Sequence, residues 1–322
     1  MSYKVVLCGS GFIGSRIAHA ISMANRQTPL RRLIQPSSRT LDSRADILRR
    51  ELPPDDMLAF RPFDITRPET LAPALEGAEV VVSLVGLLTG SPDLFERVQW
   101  RGTENVAVAA KRIGAKLIYI SAIGADKESS VPYAKTKALA EEAVLRHCPD
   151  ATIIRPSLVF GPGDSFFNRF ATLSKFLPFL PVFGDGSTRF QPVFVDDLAQ
   201  LVEIISRQDP AIRSEVAGRV IEAGGPDVFS FKDIMRLVLQ YTGRARPVIS
   251  VPWAIGKLQG AVLERLPETI LTMTQDQVEQ LKKDNIVASP TPSGYINFLD
   301  FMRMHGYELT PVERVLPMYL RP

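Results

Sequence analysis

The feature that most constrains this chain lies near its start, where an apolar run from Val5 to Cys8 breaks into Gly9-Ser10-Gly11-Phe12-Ile13-Gly14 and continues in helix formers from Ser15 to Ala24. Strand, glycine turn and helix start in that order form the cradle on which a dinucleotide pyrophosphate rests. The glycines permit the tight turn, the approach of backbone to phosphate and the approach of helix to sheet, while free N–H groups at the helix start face the anion. An ordinary glycine turn is the competing reading, and the strand before and helix after the motif argue against it. Gly9 through Gly14 are therefore candidate cofactor contacts.

Further along, the pattern alternates between strand and helix. A second strand spans Leu30 to Ser38, and Pro36 near its end marks an edge or bulged position. It closes on Ser38 and Arg39, with no Asp or Glu at the strand end. An acid there would hold a ribose 2′-hydroxyl, whereas an arginine accommodates a 2′-phosphate, so NADPH is favoured over NADH. A solvated arginine within the basic stretch Arg31, Arg32, Arg44, Arg49, Arg50 is the alternative. Arg44 to Leu52 reads as a helix, and Met57 to Phe63 as a third strand whose exit residues Asp64 and Ile65 flank an adenine. Glu69 to Leu75 is a crossover helix capped by Gly77, and Glu79 to Val85 is a buried strand ending in Gly86 at the level of the cofactor. Phe95 to Ile113, with Asn105, reads as one long helix, and Lys116 to Ile120 as the next strand, followed by Ser121. This alternation predicts an α/β fold, a doubly wound parallel sheet of Rossmann type.

The chemistry-bearing segment is Tyr133-Ala134-Lys135-Thr136-Lys137, a Y-x-x-x-K on a helix that places phenol and ammonium on one face. A neighbouring ammonium lowers a phenol's pKa, equipping Tyr133 to exchange a proton with a hydroxyl or carbonyl, and Lys137 is also able to hold a ribose. Ala151 to Arg155 is a sixth strand, Phe166 to Leu180 an apolar, aromatic stretch bounded by prolines and expected against the crevice, and Arg189 to Val195 a further strand with Asp196 capping the helix Leu198 to Arg207. Asp196 and Asp197 thus read as capping groups. Val220 to Ala223 is a strand; thereafter Ser230 caps Phe231 to Tyr241, Pro252 opens Trp253 to Leu266, and Thr274 starts Gln275 to Lys283. The expected organisation is a cofactor-binding domain over 1–157, completed by about 187–225, and a smaller, mostly helical substrate or partner domain from 158–186 and 226–322. The Trp253 to Leu266 stretch suits either a core helix or contact with a membrane or partner.

Composition narrows the function. A net charge of +3, from 38 basic and 35 acidic residues, argues against a nucleic-acid binder. Cys8 and Cys148 form no disulfide framework or zinc spacing, so no metal is expected and a reducing compartment fits. No apolar run is long enough to span a bilayer. The first strand follows the start so closely that no leader is expected ahead of it.

Through Gly9 to Gly14, Tyr133 to Lys137, Arg155-Pro156 and Phe160-Gly161-Pro162, the chain resembles the extended or atypical short-chain dehydrogenase/reductases. More narrowly it is similar to the nucleotide-binding alpha-subcomplex subunit nine family of respiratory complex I and its fungal and bacterial relatives, through residues 121–126, 154–162, 166–170, 189–193 and 224–226. The resemblance implies a tightly held NADPH, with Val85, Gly86 and Pro156 also on the cofactor. It further implies association with complex I or quinone-biosynthesis proteins on the matrix side of the mitochondrial inner membrane, or a bacterial cytoplasmic equivalent. Two departures stand out. The first glycine of the family's G-x-x-G-x-x-G falls on Cys8, and the family's catalytic Ser or Thr falls on Ile123, leaving Ser121 as the nearest hydroxyl. An accessory role with little turnover follows from the second departure. An active oxidoreductase or epimerase using Tyr133 and Lys137 on a quinone-like or isoprenoid substrate, and a peripheral membrane protein presenting quinone intermediates, are the alternatives.

Overall fold

The computed structural model describes residues 2–40, 43–256 and 274–321. β1 (Ser2–Cys8) leads through the glycine turn into α1 (Phe12–Asn25), β2 (Arg31–Ser37) and α2 (Ser43–Glu51). α3 (Pro68–Leu75) and β3 (Ala78–Ser83) follow, then α4 (Pro92–Leu94), which runs through a π-helical stretch, Phe95–Gly102, into α5 (Thr103–Ile113). β4 (Lys116–Ile120), α6 (Pro132–His147) and β5 (Thr152–Pro156) complete the first pass. Next come β6 (Val159–Phe160), α7 (Phe167–Phe176), β7 (Leu180–Phe183), β8 (Arg189–Phe190), β9 (Val193–Phe194), α8 (Val195–Ile205), α9 (Pro210–Val216) and β10 (Val220–Ala223). β11 (Phe229–Ser230), α10 (Phe231–Tyr241) and β12 (Val248–Val251) precede a helix α11, described over 253–256. α12 (Gln275–Gln280), β13 (Tyr295–Asn297), α13 (Phe298–Met304) and α14 (Val312–Tyr319) close the chain.

Seven strands form one parallel sheet in the order β13-β10-β5-β4-β3-β1-β2. Its direction of growth reverses between β1 and β3, so the crevice for a ligand opens beyond the carboxyl ends of those two strands. Helices cover both faces. One apolar core joins α1, α8, α9 and α13 to the sheet through Ile17, Ile21, Leu201, Val202, Ile212 and Phe301. The other joins α3, α5 and α6 through Leu71, Leu75, Val106, Ala110 and Val144. A third core, rich in phenylalanine, belongs to the smaller unit and links α7, β7, α10 and α14.

Several expectations are corrected. Met57 to Phe63 is not a strand: it makes one bridge, Ile34 to Met57, and runs beside β2 with Leu58, Arg61 and Phe63 donating to Ile34, Pro36 and Ser38. Pro36 on one side and Pro62 on the other lack the N–H groups that a ladder needs. The edge position read for β2 is the one observed. Residues 295–309, read with the smaller unit, instead add edge strand β13 to the main sheet and place Phe298, Phe301, Met302 and Leu309 in its core. The apolar stretch Phe166 to Leu180 forms α7 up to Phe176, before Pro178, and packs into the third core. Arg189 to Val195 is two short strands, β8 and β9. Asp196 lies inside α8, whose cap is Phe194, and it pairs with Arg16 on α1; Asp197 accepts from Thr310 N and Oγ1 at 2.7 and 2.9 Å. The Trp253 to Leu266 stretch is described only through residue 256, and the remainder lies outside the described residues.

At the opposite end of the sheet from the crevice, three strands converge on the carboxyl end of α8. Arg32 donates to Glu203 O at 2.9 Å, Lys116 Nζ to Ile205 O at 2.6 Å and the Tyr3 hydroxyl to Ser206 O at 3.0 Å. These donors satisfy carbonyls that the helix itself leaves without partners. Arg32 also meets the buried Glu203 carboxylate at 2.6 Å. Glu203 also holds Arg207 at 2.7 Å, so removing Arg32 strips the buried carboxylate of one of its two cations, and Arg32→Met is expected to lower unfolding free energy by about 2 kcal/mol in urea denaturation. A change below about 1 kcal/mol would contradict the role assigned to this pair.

Candidate functional site

The site begins with what the glycine turn requires. At Gly9, φ is +127°, a conformation that disfavours any side chain, and its N–H donates to Leu7 O and Ser37 O at 3.0 and 2.8 Å. A Cβ on Gly14 would stand 2.1 Å from Gly9 O, so the start of α1 lies directly on the turn only because residue 14 has no side chain. Gly11 is the N-cap, no side chain caps the helix, and its first turn carries no acid. The N–H groups of this first turn are thus left to meet an anion. Cys8, where the resemblance places a first glycine, is wholly buried as the last residue of β1, and burial pushes its thiol up to about 12. The positive φ falls one residue later, on Gly9, so Cys8 costs the turn nothing. Ser10 is buried, while Phe12 and Ile13 are half-buried at the helix start.

Around the crevice, β2 delivers Ser38, whose hydroxyl donates to Thr40 O at 2.5 Å, and the exposed Arg39. Asp64 lies close enough to feel Arg39. Burial opposes its ionisation, but hydrogen bonds from Thr66 N and Oγ1 and the charges of Arg39 and Arg67 hold its carboxyl below the usual range. Ile65 turns its side chain into the core against Gly102, 2.6 Å from where a Cβ there would sit, so only its backbone borders the crevice. Its carbonyl accepts from Asn105 Nδ2 at 2.8 Å. Beyond β3, Val85 is half-buried and Gly86 exposed. A Cβ on Gly86 would be 3.3 Å from Lys137 Nζ, so this glycine leaves open the space above the lysine.

α6 starts on Pro132 and carries Tyr133 and Lys137 one turn apart. Lys137 Nζ donates to Ile120 O at 2.9 Å and sits 5.1 Å above the Tyr119 ring. Burial pulls it down to about 8, against the nearby Glu141 carboxylate. Tyr133 meets Phe95 edge-on, centroids 6.2 Å apart, and burial pushes its phenol up to about 12. The expected lowering of the phenol by Lys137 is therefore corrected: desolvation dominates, and the ammonium is directed at a backbone carbonyl. Ser121 is 3% exposed and its Oγ has no hydrogen-bond partner; it sits at the end of β4 with its N–H on Ile154 O at 2.7 Å. Ile123 occupies the half-buried loop beyond, and its N–H is held by Pro156 O at 3.0 Å.

One residue escaped the sequence reading. Gln99, in the π-helical stretch, is fully buried; its Nε2 donates to Tyr133 O at 2.9 Å and Thr136 Oγ1 at 3.0 Å, and its Oε1 accepts from Leu87 N at 3.3 Å. It binds the loop after β3 to the start of α6. The signal available was an amide three residues before Gly102 on a helix face otherwise buried; the π-helical widening, a feature frequent at functional sites, was not visible. Arg155 likewise had no assigned role. It grips Glu141 through two bonds of 2.9 and 2.6 Å and donates to the Tyr295 hydroxyl at 2.9 Å, fastening α6 to the sheet edge.

These residues fit a dinucleotide: an uncapped helix start, a turn without side chains where phosphate would lie, and a lysine under an open glycine. Among the described residues no cluster of His, Cys, Asp or Glu is placed to hold a metal.

A model of the NAD dependent epimerase/dehydratase family matches residues 5–220. The chain is 30% identical over 236 residues to NADH dehydrogenase (ubiquinone) 1 alpha subcomplex subunit 9, mitochondrial, of Arabidopsis thaliana, covering 70% of this chain and 58% of that protein. It is also 30% identical over 191 residues to ceramide reductase of Caulobacter vibrioides, covering 59% and 58%. The match thus spans less than two-thirds of either relative's length. Among solved structures, UDP-glucuronic acid 4-epimerase from Bacillus cereus with UDP-glucuronic acid and NAD superposes with a TM-score of 0.62 at 21% identity, covering 86% of this chain and 99% of that one. The dTDP-4-dehydrorhamnose reductase from Bacillus anthracis with NADP gives 0.62 at 17% identity, covering 99% and 98%.

Because the obstructing atom at Gly14 is a backbone oxygen that has nowhere to move, Gly14→Ala is expected to open the turn. Nucleotide titration should show loss of more than tenfold in affinity, together with a lowered melting temperature. Unchanged affinity would mean that phosphate binds elsewhere.

Proposed function

The chain belongs to the NAD dependent epimerase/dehydratase family, and from that premise we propose that it holds NADPH as a long-lived structural group, in an accessory role beside respiratory complex I or ubiquinone metabolism. The observation that carries this reading is the pairing of an apolar Ile123 at the loop beyond β4 with a Tyr133 phenol that burial pushes to about 12. A general acid works best with a pKa near the ambient pH and a second donor on the same oxygen; here the phenol lies above that range and Ile123 has no donor to offer.

In this reading the first-turn N–H groups of α1 hold the pyrophosphate, Arg39 meets the 2′-phosphate, and Lys137 turns from Ile120 O toward the nicotinamide ribose. NADPH when bound supplies a hydride. Tyr133 keeps its proton at the phenolic oxygen, with Phe95 packed edge-on against its ring. A group that binds the folded chain and not the unfolded one stabilises it by mass action, which suffices for an accessory role. The Arabidopsis relative is named as a mitochondrial subunit of NADH dehydrogenase (ubiquinone) and supports the reading of a respiratory accessory role, placed here at the inner membrane's matrix side; the Caulobacter relative shows that bacterial proteins share the sequence. A second reading, an active reductase or epimerase of an apolar quinone-like or isoprenoid carbonyl, is favoured by the one-turn spacing of Tyr133 and Lys137.

Fluorescence titration tests the cofactor assignment. The unaltered chain should bind NADPH more tightly than NADH, and Arg39→Asp should reverse the order, one lost phosphate contact being worth about 1.5 to 3 kcal/mol, or about ten- to a hundredfold. Tighter NADH binding by the unaltered chain overturns the assignment. Tyr133→Phe should leave NADPH affinity nearly unchanged while Lys137→Ala weakens it by roughly tenfold. Equal weakening by both contradicts the division of roles, and steady NADPH oxidation with a short-chain quinone, abolished in Tyr133→Phe, selects the second reading.

A further inference from the structure

Far from the crevice in function and sequence, the smaller unit carries a groove of about 410 Å³ between α10 and the start of β12. Lys232 and Arg236 reach it from successive turns of α10, and Arg244 and Arg246 from the segment that follows. Leu239, Ala245 and Val248 supply its apolar floor, and no acid is among the described residues that line it. The nearby acids are Asp233, paired with Arg236 at 2.9 Å; Asp185, hydrogen-bonded to Ser187; and Glu313, which faces Tyr241. Arg244 Nη1 donates to Thr242 O at 3.1 Å, a bond to a neutral carbonyl that holds the guanidinium without cancelling its charge.

An exposed apolar side chain lies at the same end of the unit as these cations. Val248 pairs with Leu180, whose N–H donates to Pro247 O at 2.9 Å, so the ends of α7 and α10 lie at one end of the unit. Four residues before Leu180, Phe176 is 76% exposed, within a chain reach of about 14 Å. Its neighbour Lys175 is exposed. A soluble phosphate would use the cations and leave the bare phenylalanine without a purpose. A surface that is anionic in its outer layer and apolar beneath uses both.

We propose that this face docks on an anionic phospholipid bilayer, with Lys232, Arg236, Arg244 and Arg246 on headgroup phosphates and Phe176 entering the boundary beneath. The assignment deepens the placement beside a membrane given above. It is independent of nucleotide binding, which the same samples report through NADPH fluorescence.

Co-sedimentation of the full chain with vesicles tests it. At low salt the chain should sediment with vesicles one-third phosphatidylglycerol and stay in solution with pure phosphatidylcholine, and added salt should release it. Arg236→Gln with Arg246→Gln should weaken partition by roughly 25-fold, about fivefold for each cation removed. Phe176→Ser should weaken it on its own, and all variants should keep their melting temperature and NADPH affinity. Equal binding to both vesicle types, no binding to the anionic vesicles, or full binding by the double variant overturns the proposal. Release by inorganic phosphate at constant ionic strength also overturns it, by assigning the cations to a soluble anion.

Discussion

The approach of α1 to the end of β1 is the constraint on which the rest of the structure depends. With Gly9 O only 2.1 Å from where a Gly14 Cβ would stand, the helix starts directly on the turn, its N–H groups aimed over the edge of the sheet. That placement seats Ile17 and Ile21 against the sheet and against α8, and Arg16 against Asp196 in the first turn of α8. The other end of α8 is closed by Tyr3, Arg32 and Lys116, side chains from β1, β2 and β4. One face of the sheet is therefore tied at both ends, and the crevice between β1 and β3 inherits its shape from this packing.

The second half of the site is held as firmly, from the other face. Gln99 joins the loop after β3 to the first turn of α6, and Arg155 joins the middle of α6 to β5 and β13. Tyr133 and Lys137 are thus fixed from two sides. The same burial that fixes them separates their protonation states from the values that acid–base exchange needs, pushing the phenol up and the ammonium down.

Much of this was legible in the sequence because each signal was local. The glycine turn, the α6 pentapeptide, the Ser230 cap and the Thr274 capping box are patterns spanning a few residues whose physics is complete within them. What the sequence concealed depended on partners far along the chain. Met57 to Phe63 has strand composition, yet Pro36 across from it and Pro62 within it withhold the donors a ladder requires. Residues 295–297 read with the smaller, mostly helical unit until Val220 to Glu222 offers them an edge. Asp196 reads as a cap by position, but its partner is Arg16, on the first helix of the fold. The phenol of Tyr133 reads as activated by its lysine, and only the fold reveals that the lysine is turned toward Ile120 O.

The central claim is that the glycine turn and Arg39 hold a phosphorylated dinucleotide as a lasting part of the molecule. The most direct measurement is to denature the purified chain with acid or alkali and assay the released nucleotides. The account predicts a near-stoichiometric yield of NADPH and NADP together, with little NAD or NADH. Release of NAD and NADH instead, or no nucleotide even after incubation with NADPH and gel filtration, would contradict it.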